Sequence, residues 1–228
     1  MIVGKGMVAG ALKDIAGWDA DILFSSGVSN SGERDINAFL KERNLITDYL
    51  EKLSPGSTFV YFSTTSIFDP SKAANPYIVH KQNIEKFLID SNVNYLILRL
   101  PNLVGNSSNP HTLTNFFVNS IKSGRLISLH SRAIRHLIDV ADLTSILSDV
   151  KDKYGKSRRI VNVETDKPLS AAQILNYLEQ TLDMKAIVRV ADDQQIEERI
   201  IRDNRSVNYI WKLGPDYHKF LFKKYYSS

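Results

Sequence analysis

The sequence predicts an α/β fold: a parallel sheet wound on both faces by helices. Three observations predict it. Short apolar, β-rich runs alternate with helix-length segments over the first hundred residues. A glycine-rich turn joins the first strand to the first helix, and hydroxyl or polar residues gather where later strands end. At 228 residues, 43% of them hydrophobic, the chain can bury a full core, and one domain or one plus a small lobe is expected.

Residues 1–3 read as a short buried strand, and Gly4 to Gly10 as the turn into a helix running to about Ile15. Asp21 to Phe24 is a second strand, followed by a Ser/Gly/Asn loop from Ser25 to Gly32. Residues 36–53 carry helical periodicity, with Phe39, Leu40, Leu45, Ile46 and Leu50 on an apolar stripe, and Pro55-Gly56 breaks it. Thr58 to Phe62 is a third strand, and Pro76 stands where a first-turn proline opens a helix over about 77–90. Tyr95 to Leu100 is a fourth strand. Beyond it the rhythm changes. A polar loop at 101–111 precedes a helix at 113–121, a short strand at 126–129 and a helix at about 141–150. A strand at 160–163, a helix at about 171–182 opened by Ser170, and a last strand at 186–190 follow.

Composition excludes several classes. Without cysteine there are no disulfides, no thiolate catalysis and no Cys-ligated zinc, as in a cytoplasmic protein. The five histidines, at 80, 111, 130, 136 and 218, form no H-x-x-x-H pair, so no metal site is expected. No apolar run has the length to span a membrane, and the N-terminus lacks the charged and hydrophobic regions of a signal peptide. The net charge of +4 is mild, and the basic clusters at 156–159 and 223–224 read as solvated surface. Such a field suits a diphosphate ligand and does not form a nucleic-acid stripe.

The candidate site follows the strand ends. Tyr77 and Lys81, four apart, share one helix face; an ammonium beside a phenol lowers its pKa toward that of a proton-transfer group. The hydroxyls of Ser63, Thr64 and Thr65 end the third strand, where open parallel sheets place ligands, although Ser and Thr also cap turns there. The turn G-x-G-x-x-x-G, with Gly4, Lys5, Gly6, Met7, Val8 and Gly10, lies between strand and helix, where glycines let a backbone approach a pyrophosphate. The acid that usually ends the second strand and binds the adenosine ribose is missing, for Ser25, Ser26 and Gly27 stand there. Either the cofactor is NADP, or the ribose is held otherwise, or the cofactor is held poorly. Arg99 and Asn102 lie at the end of the fourth strand, Arg99 as a possible partner of a buried carboxylate. Arg135 suits either a bidentate diphosphate clamp or a plain surface position, while Asp139 and Asp142 suit structural roles.

Together these segments resemble the extended short-chain dehydrogenase/reductase family, the nucleotide-sugar epimerases, dehydratases and reductases. Val60 to Phe68 resembles the family's strand ending in S-S/T-x-x-V-Y, which puts Thr64 at the substrate-binding Ser/Thr; Tyr77 and Lys81 match the catalytic pair. Residues 99–105 (Arg-Leu-Pro-Asn-Leu-Val-Gly) resemble R-x-x-N-x-Y-G, and 135–142 resemble R-D-F-I-H-V-D-D. Residues 160–163 with their Ser-led helix resemble the return to the C-terminal lobe, and 203–214 the closing element. The resemblance implies a Rossmann-like doubly wound sheet with a small C-terminal α/β substrate lobe. It also exposes a departure, since only about one strand–helix unit separates the glycine turn from the strand of Thr64, where the family has two more. The fold is thus expected to be shortened by about two strands, with 1–100 and part of 137–165 as a reduced dinucleotide-binding core, and 101–136 and 166–228 as the substrate lobe of a single unit.

The resemblance further implies catalysis by Thr64, Tyr77 and Lys81, with Tyr77 as general acid/base. It implies NAD or NADP, preferably NADP, held by residues 4–8, Gly10, Ser25, Ser26, Gly27, Lys81 and Pro101. A nucleotide-sugar would contact Thr65, Asn102 and Arg135 in cytoplasmic synthesis of surface-polysaccharide sugars. No Glu or Lys replaces Thr65 or Ser66, as a dehydratase would need, so reduction, oxidation or epimerisation at a keto-sugar carbon is expected. A homodimer through the helices at 36–53 and 77–90 is implied as well. Two rivals remain: a non-catalytic sensor with a degraded cofactor site, and an enzyme that binds a nucleotide-sugar without nicotinamide.

Overall fold

The computed structural model describes residues 1–19, 21–69, 73–156, 158–191 and 206–227. Strand β1 (Ile2–Val3) stops at Gly4, whose φ is +131°. A Cβ there would stand 2.6 Å from the Ser25 carbonyl oxygen, so glycine is what lets the first two strands end side by side. Helix α1 (Met7–Leu12) is short, and β2 (Ile22–Phe24) follows it. Asp35 caps α2 (Ile36–Leu50) by accepting from the Asn37 amide. After β3 (Thr58–Thr64), Asn75 caps α3 (Pro76–Asp90), with the proline at the first helical position as its missing N–H predicts. Strands β4 (Asn94–Leu100) and β5 (Asn102–Val104), helix α4 (Leu113–Lys122), strands β6 (Ile127–Leu129), β7 (Ile134–Arg135) and β8 (Leu137–Asp139), and helix α5 (Leu143–Tyr154) come next. The chain continues through β9 (Arg159–Thr165), β10 (Leu169–Ser170), α6 (Ala171–Leu182), β11 (Val188–Val190), β12 (Ser206–Trp211) and α7 (Tyr217–Tyr226). A reciprocal Ser170–Gln173 capping box opens α6.

Six strands form the main sheet in the order β1-β2-β3-β4-β9-β12, and every neighbouring pair is parallel. In a full dinucleotide fold the first strand lies inside the sheet, in the order 3-2-1-4-5-6. Here β1 is an edge, and among the described residues no strand pairs beyond it. The expected loss of two strands is therefore a loss of one whole wing.

Alternation along the strands feeds two cores. Phe59 and Tyr61 point with Phe24, Ile46, Ile84 and Leu88 to the face covered by α2 and α3. Val60, Leu96 and Leu98 point with Leu12, Ile146 and Val150 to the face of α1 and α5. A third cluster, with Phe117, Ile127, Ile174, Leu178 and Phe222, fills the C-terminal lobe. Each such side chain, fully buried, contributes about 1.5–3 kcal/mol.

The lobe boundary needs correction. Residues 206–211 belong to the main sheet, because β12 pairs with β9 from Ser206↔Ile160 to Trp211↔Thr165. The last strand is thus β12, while β11 leaves the main sheet to pair with β6. Asp203, part of the expected closing element, lies outside the described residues.

Candidate active site

The C-terminal ends of β1 to β4 open into a cleft of about 1130 Å³. Lys5, Gly6, Met7, Val8 and Gly10 line it from the first turn, and Ser25, Ser26 and Gly27 from the end of β2. Thr64, Tyr77, Lys81, Pro101, Asn102 and Arg135 complete the expected set. Two expected residues are not in the wall. Gly4 sits behind it, packed on Ser25. Thr65 is a correction: its buried hydroxyl donates to the Leu100 carbonyl at 3.5 Å and does not line the cleft.

The choice among strand-end hydroxyls follows from their partners. Ser63 donates to Glu85 at 2.5 Å, and Thr65 is turned inward. Thr64 combines both roles weighed for it. Its oxygen accepts from the Ser66 amide at 3.1 Å, capping the 3₁₀ turn Thr65–Phe68, and its side chain lines the same cleft as Tyr77. Arg99 takes the structural role: it pairs with Glu85 through its Nε and a terminal nitrogen, at 2.6 Å for the latter, and reaches Asn162. Asn102 donates its side-chain amide to the His136 carbonyl at 3.4 Å, and Arg135 donates to the Ile134 carbonyl at 2.8 Å. Asp139 and Asp142 are structural as expected, accepting from Lys224, Tyr225, Trp211 and Tyr217.

Lys81 departs from expectation. Its side chain is 2% exposed, and its ammonium donates at 2.9 Å to the Tyr61 hydroxyl and at 3.1 Å to Glu42, while the Tyr77 ring centroid is 5.8 Å away. Glu42, on α2, also accepts from the Val28 amide and the Tyr61 hydroxyl at 2.7 Å each and meets His80 at 2.9 Å. Burial opposes its charge, but Lys81, His80, the Val28 amide and Tyr61 together hold its pKa down at about 2. For Tyr77 the expected direction is reversed. Burial, then the charge of Glu42, pushes the phenol well above its usual value, and the Thr64 hydroxyl offsets only part of this.

Sequence reasoning missed Glu42, Tyr61 and His80. A signal existed: Glu42 stands three residues after Phe39 and four before Ile46, so a carboxylate interrupts the buried stripe of α2. A charge in such a position needs buried partners.

Residues of the cleft fit a nicotinamide dinucleotide in two respects. Nothing lies within 4 Å of where a Cβ would stand on Gly6 or Gly10, leaving backbone open to a pyrophosphate. The Ser25 hydroxyl oxygen is buried without a hydrogen-bond partner beside the same turn. Among the described residues the wall contains neither aspartate nor glutamate, so it suits an anion and offers no carboxylate to a ribose diol.

The model of the NAD dependent epimerase/dehydratase family matches residues 15–163. The chain belongs to this family. It is an NAD(P)-dependent enzyme of the extended short-chain dehydrogenase/reductase type, and the matched span starts just after the glycine turn. Among solved structures it is similar to WbmG of Bordetella bronchiseptica in complex with NAD and UDP, at 17% identity and a TM-score of 0.61 over 97% of this chain and 77% of that one. UDP-glucose 4-epimerase of Thermus thermophilus with NAD gives 15% identity and a TM-score of 0.58, covering 83% and 70%. RMD of Pseudomonas aeruginosa with NADPH gives 16% and 0.60, covering 91% and 75%. No curated protein matches the chain in sequence. Among the described residues no helix is long and apolar enough to cross a membrane.

Proposed function

We propose that this family member is an NAD(P)-dependent reductase or epimerase of a nucleotide-activated keto-sugar. The observation that carries the reading is that Thr64 and Tyr77, with Lys81 one helical turn on, line one cleft whose wall, among the described residues, holds hydroxyls and cations but no acid. The glycine turn with Ser25, Ser26 and Gly27 would hold the dinucleotide, and Lys81 and Pro101 its nicotinamide half. Asn102 and Arg135 would face the nucleotide-sugar, Arg135 at the diphosphate. When bound, the cofactor supplies hydride transfer. The protein supplies the proton: Tyr77 exchanges it with the substrate oxygen, and Thr64 orients that oxygen. Similar structures bound to UDP and NAD support the substrate class, as does the lack of a Glu or Lys beside Thr64 for reduction over dehydration.

Two measurements test the reading. Titration with NADPH and NADH, followed by nicotinamide fluorescence, is expected to show saturable micromolar binding; none up to millimolar would bring forward the sensor or the nicotinamide-free enzyme. Tyr77→Phe is expected to remove turnover of a keto-sugar nucleotide while leaving fold and cofactor binding intact, and unchanged turnover would sink the assignment. Cytoplasmic synthesis of surface-polysaccharide sugars belongs to the same proposal. So does a homodimer through the outer faces of α2 and α3, where Ile36, Leu40 and Val79 are exposed.

A further inference from the structure

Glu42 is a buried carboxylate behind the cleft with four hydrogen-bond partners, and nothing in the proposed reaction uses it. Its four donors come from three places: the Val28 amide in the loop after β2, Tyr61 on β3, and His80 and Lys81 on α3. Its side chain is 1% exposed. His80 is held in turn by Phe39, ring on ring at 4.5 Å. Gly27 closes the arrangement from the cleft side, because a Cβ there would stand 2.8 Å from both Glu42 Oε1 and Lys81 Nζ. So tight a cluster fixes the ammonium on Glu42 and the Tyr61 hydroxyl, with the Tyr77 ring centroid 5.8 Å off and no hydrogen bond to that phenol.

We propose that Glu42 is a positioning residue that holds Lys81 against the sheet and cancels its charge, so that Tyr77 meets a substrate carbonyl as a proton donor. This rests on the reading of the cleft as a nicotinamide-dependent sugar site, and it chooses a direction within it. In that direction, hydride from a reduced nicotinamide goes to the carbonyl carbon. The carbonyl π pair takes the Tyr77 proton at oxygen, the products are the alcohol and the oxidised nicotinamide, and water reprotonates the phenolate. An epimerase must begin with the opposite step, removing a hydroxyl proton, for which a phenolate beside an unpaired ammonium is suited. The charged and titratable groups that face the pair are Lys81 and His80 from α3, Tyr61 from β3 and Tyr77 itself; Glu85 adds its charge at Tyr61. Burial and the charge of Glu42 both favour the protonated phenol.

The experiment needs no substrate. Ring-labelled tyrosine is followed by NMR across pH in the wild type and in Glu42→Gln, with Tyr77→Phe to assign the signal. The Tyr77 signal is expected to stay protonated beyond the ordinary phenol value of about 10, and Glu42→Gln to lower its midpoint by roughly one pH unit or more. A wild-type midpoint below the ordinary value, or a Glu42→Gln midpoint equal to the wild type's, overturns the proposal. Should the single variant not fold, Lys81→Met leaves the Glu42 charge uncancelled, and the Tyr77 midpoint must then rise above the wild type's; an unchanged or lower midpoint overturns the proposal. Failure of cofactor binding would sink the enzyme reading and leave this titration standing, so the two failures are distinguishable.

Discussion

Gly27 shows how much one hydrogen atom decides. The atoms that a Cβ would meet are the ends of flexible side chains, which elsewhere could move, but here they hold each other and are held by Tyr61 and His80. Gly27→Ala is therefore expected to destabilise by about 1–3 kcal/mol and to weaken nucleotide binding, as read by urea unfolding and fluorescence titration. Equal stability and affinity would mean that the pair yields freely. Glu42 also sets an acid limit. Its pKa is 4.5 unfolded and about 2 folded, so its contribution is full above the higher value and drains away as pH falls toward the lower. The loss is on the order of 3 kcal/mol, and Glu42→Gln is expected to unfold less steeply over that interval in acid. At this scale the sequence was half legible. Tyr77, Lys81 and Thr64 stood out by spacing and by position at a strand end; the partner that reorients Lys81 did not, because Glu42 is 39 residues away in the chain.

Elements were legible where local and tertiary signals agreed. Strands β3 and β4 are buried on both faces and read as continuous apolar runs, and Asn75-Pro76 marks the start of α3 in the sequence itself. Strand β12 was not seen because Asn208 interrupts its apolar residues and only Tyr209 among them is buried. Helix α7 was hidden by the lysines between its apolar positions, although Leu221 and Phe222 are buried and Tyr217, Lys224 and Tyr225 tie it to Asp139 and Asp142. Since Phe222 is 0% exposed in the lobe core and stacks on Tyr177, Phe222→Ala is expected to cost about 3–5 kcal/mol. Hydrogen exchange is expected to show α6 and α7 losing protection while β3 and β4 keep theirs. Uniform loss across both would mean that the lobe and the sheet unfold as one unit.

The whole molecule is a dinucleotide fold with one wing missing, and the consequence is unequal for the two halves of the cofactor. The side of the cleft proposed for nicotinamide is walled by β3, β4, α3 and the lobe, all anchored in buried clusters. On the side proposed for adenosine the sheet stops at β1, two residues long, and among the described residues no strand pairs beyond it. Affinity comes from surface removed from water and from paired polar groups, so a half-site that offers neither adds little. Reduced nicotinamide mononucleotide is therefore expected to bind within about tenfold of the full dinucleotide, a difference of about 1.4 kcal/mol or less. Competition between the two for the same fluorescence signal measures it. A gap of a thousandfold or more would mean that adenosine is held after all, by Lys5 and the β2 loop or by a second molecule closing the open edge, and sedimentation with and without cofactor would tell these apart.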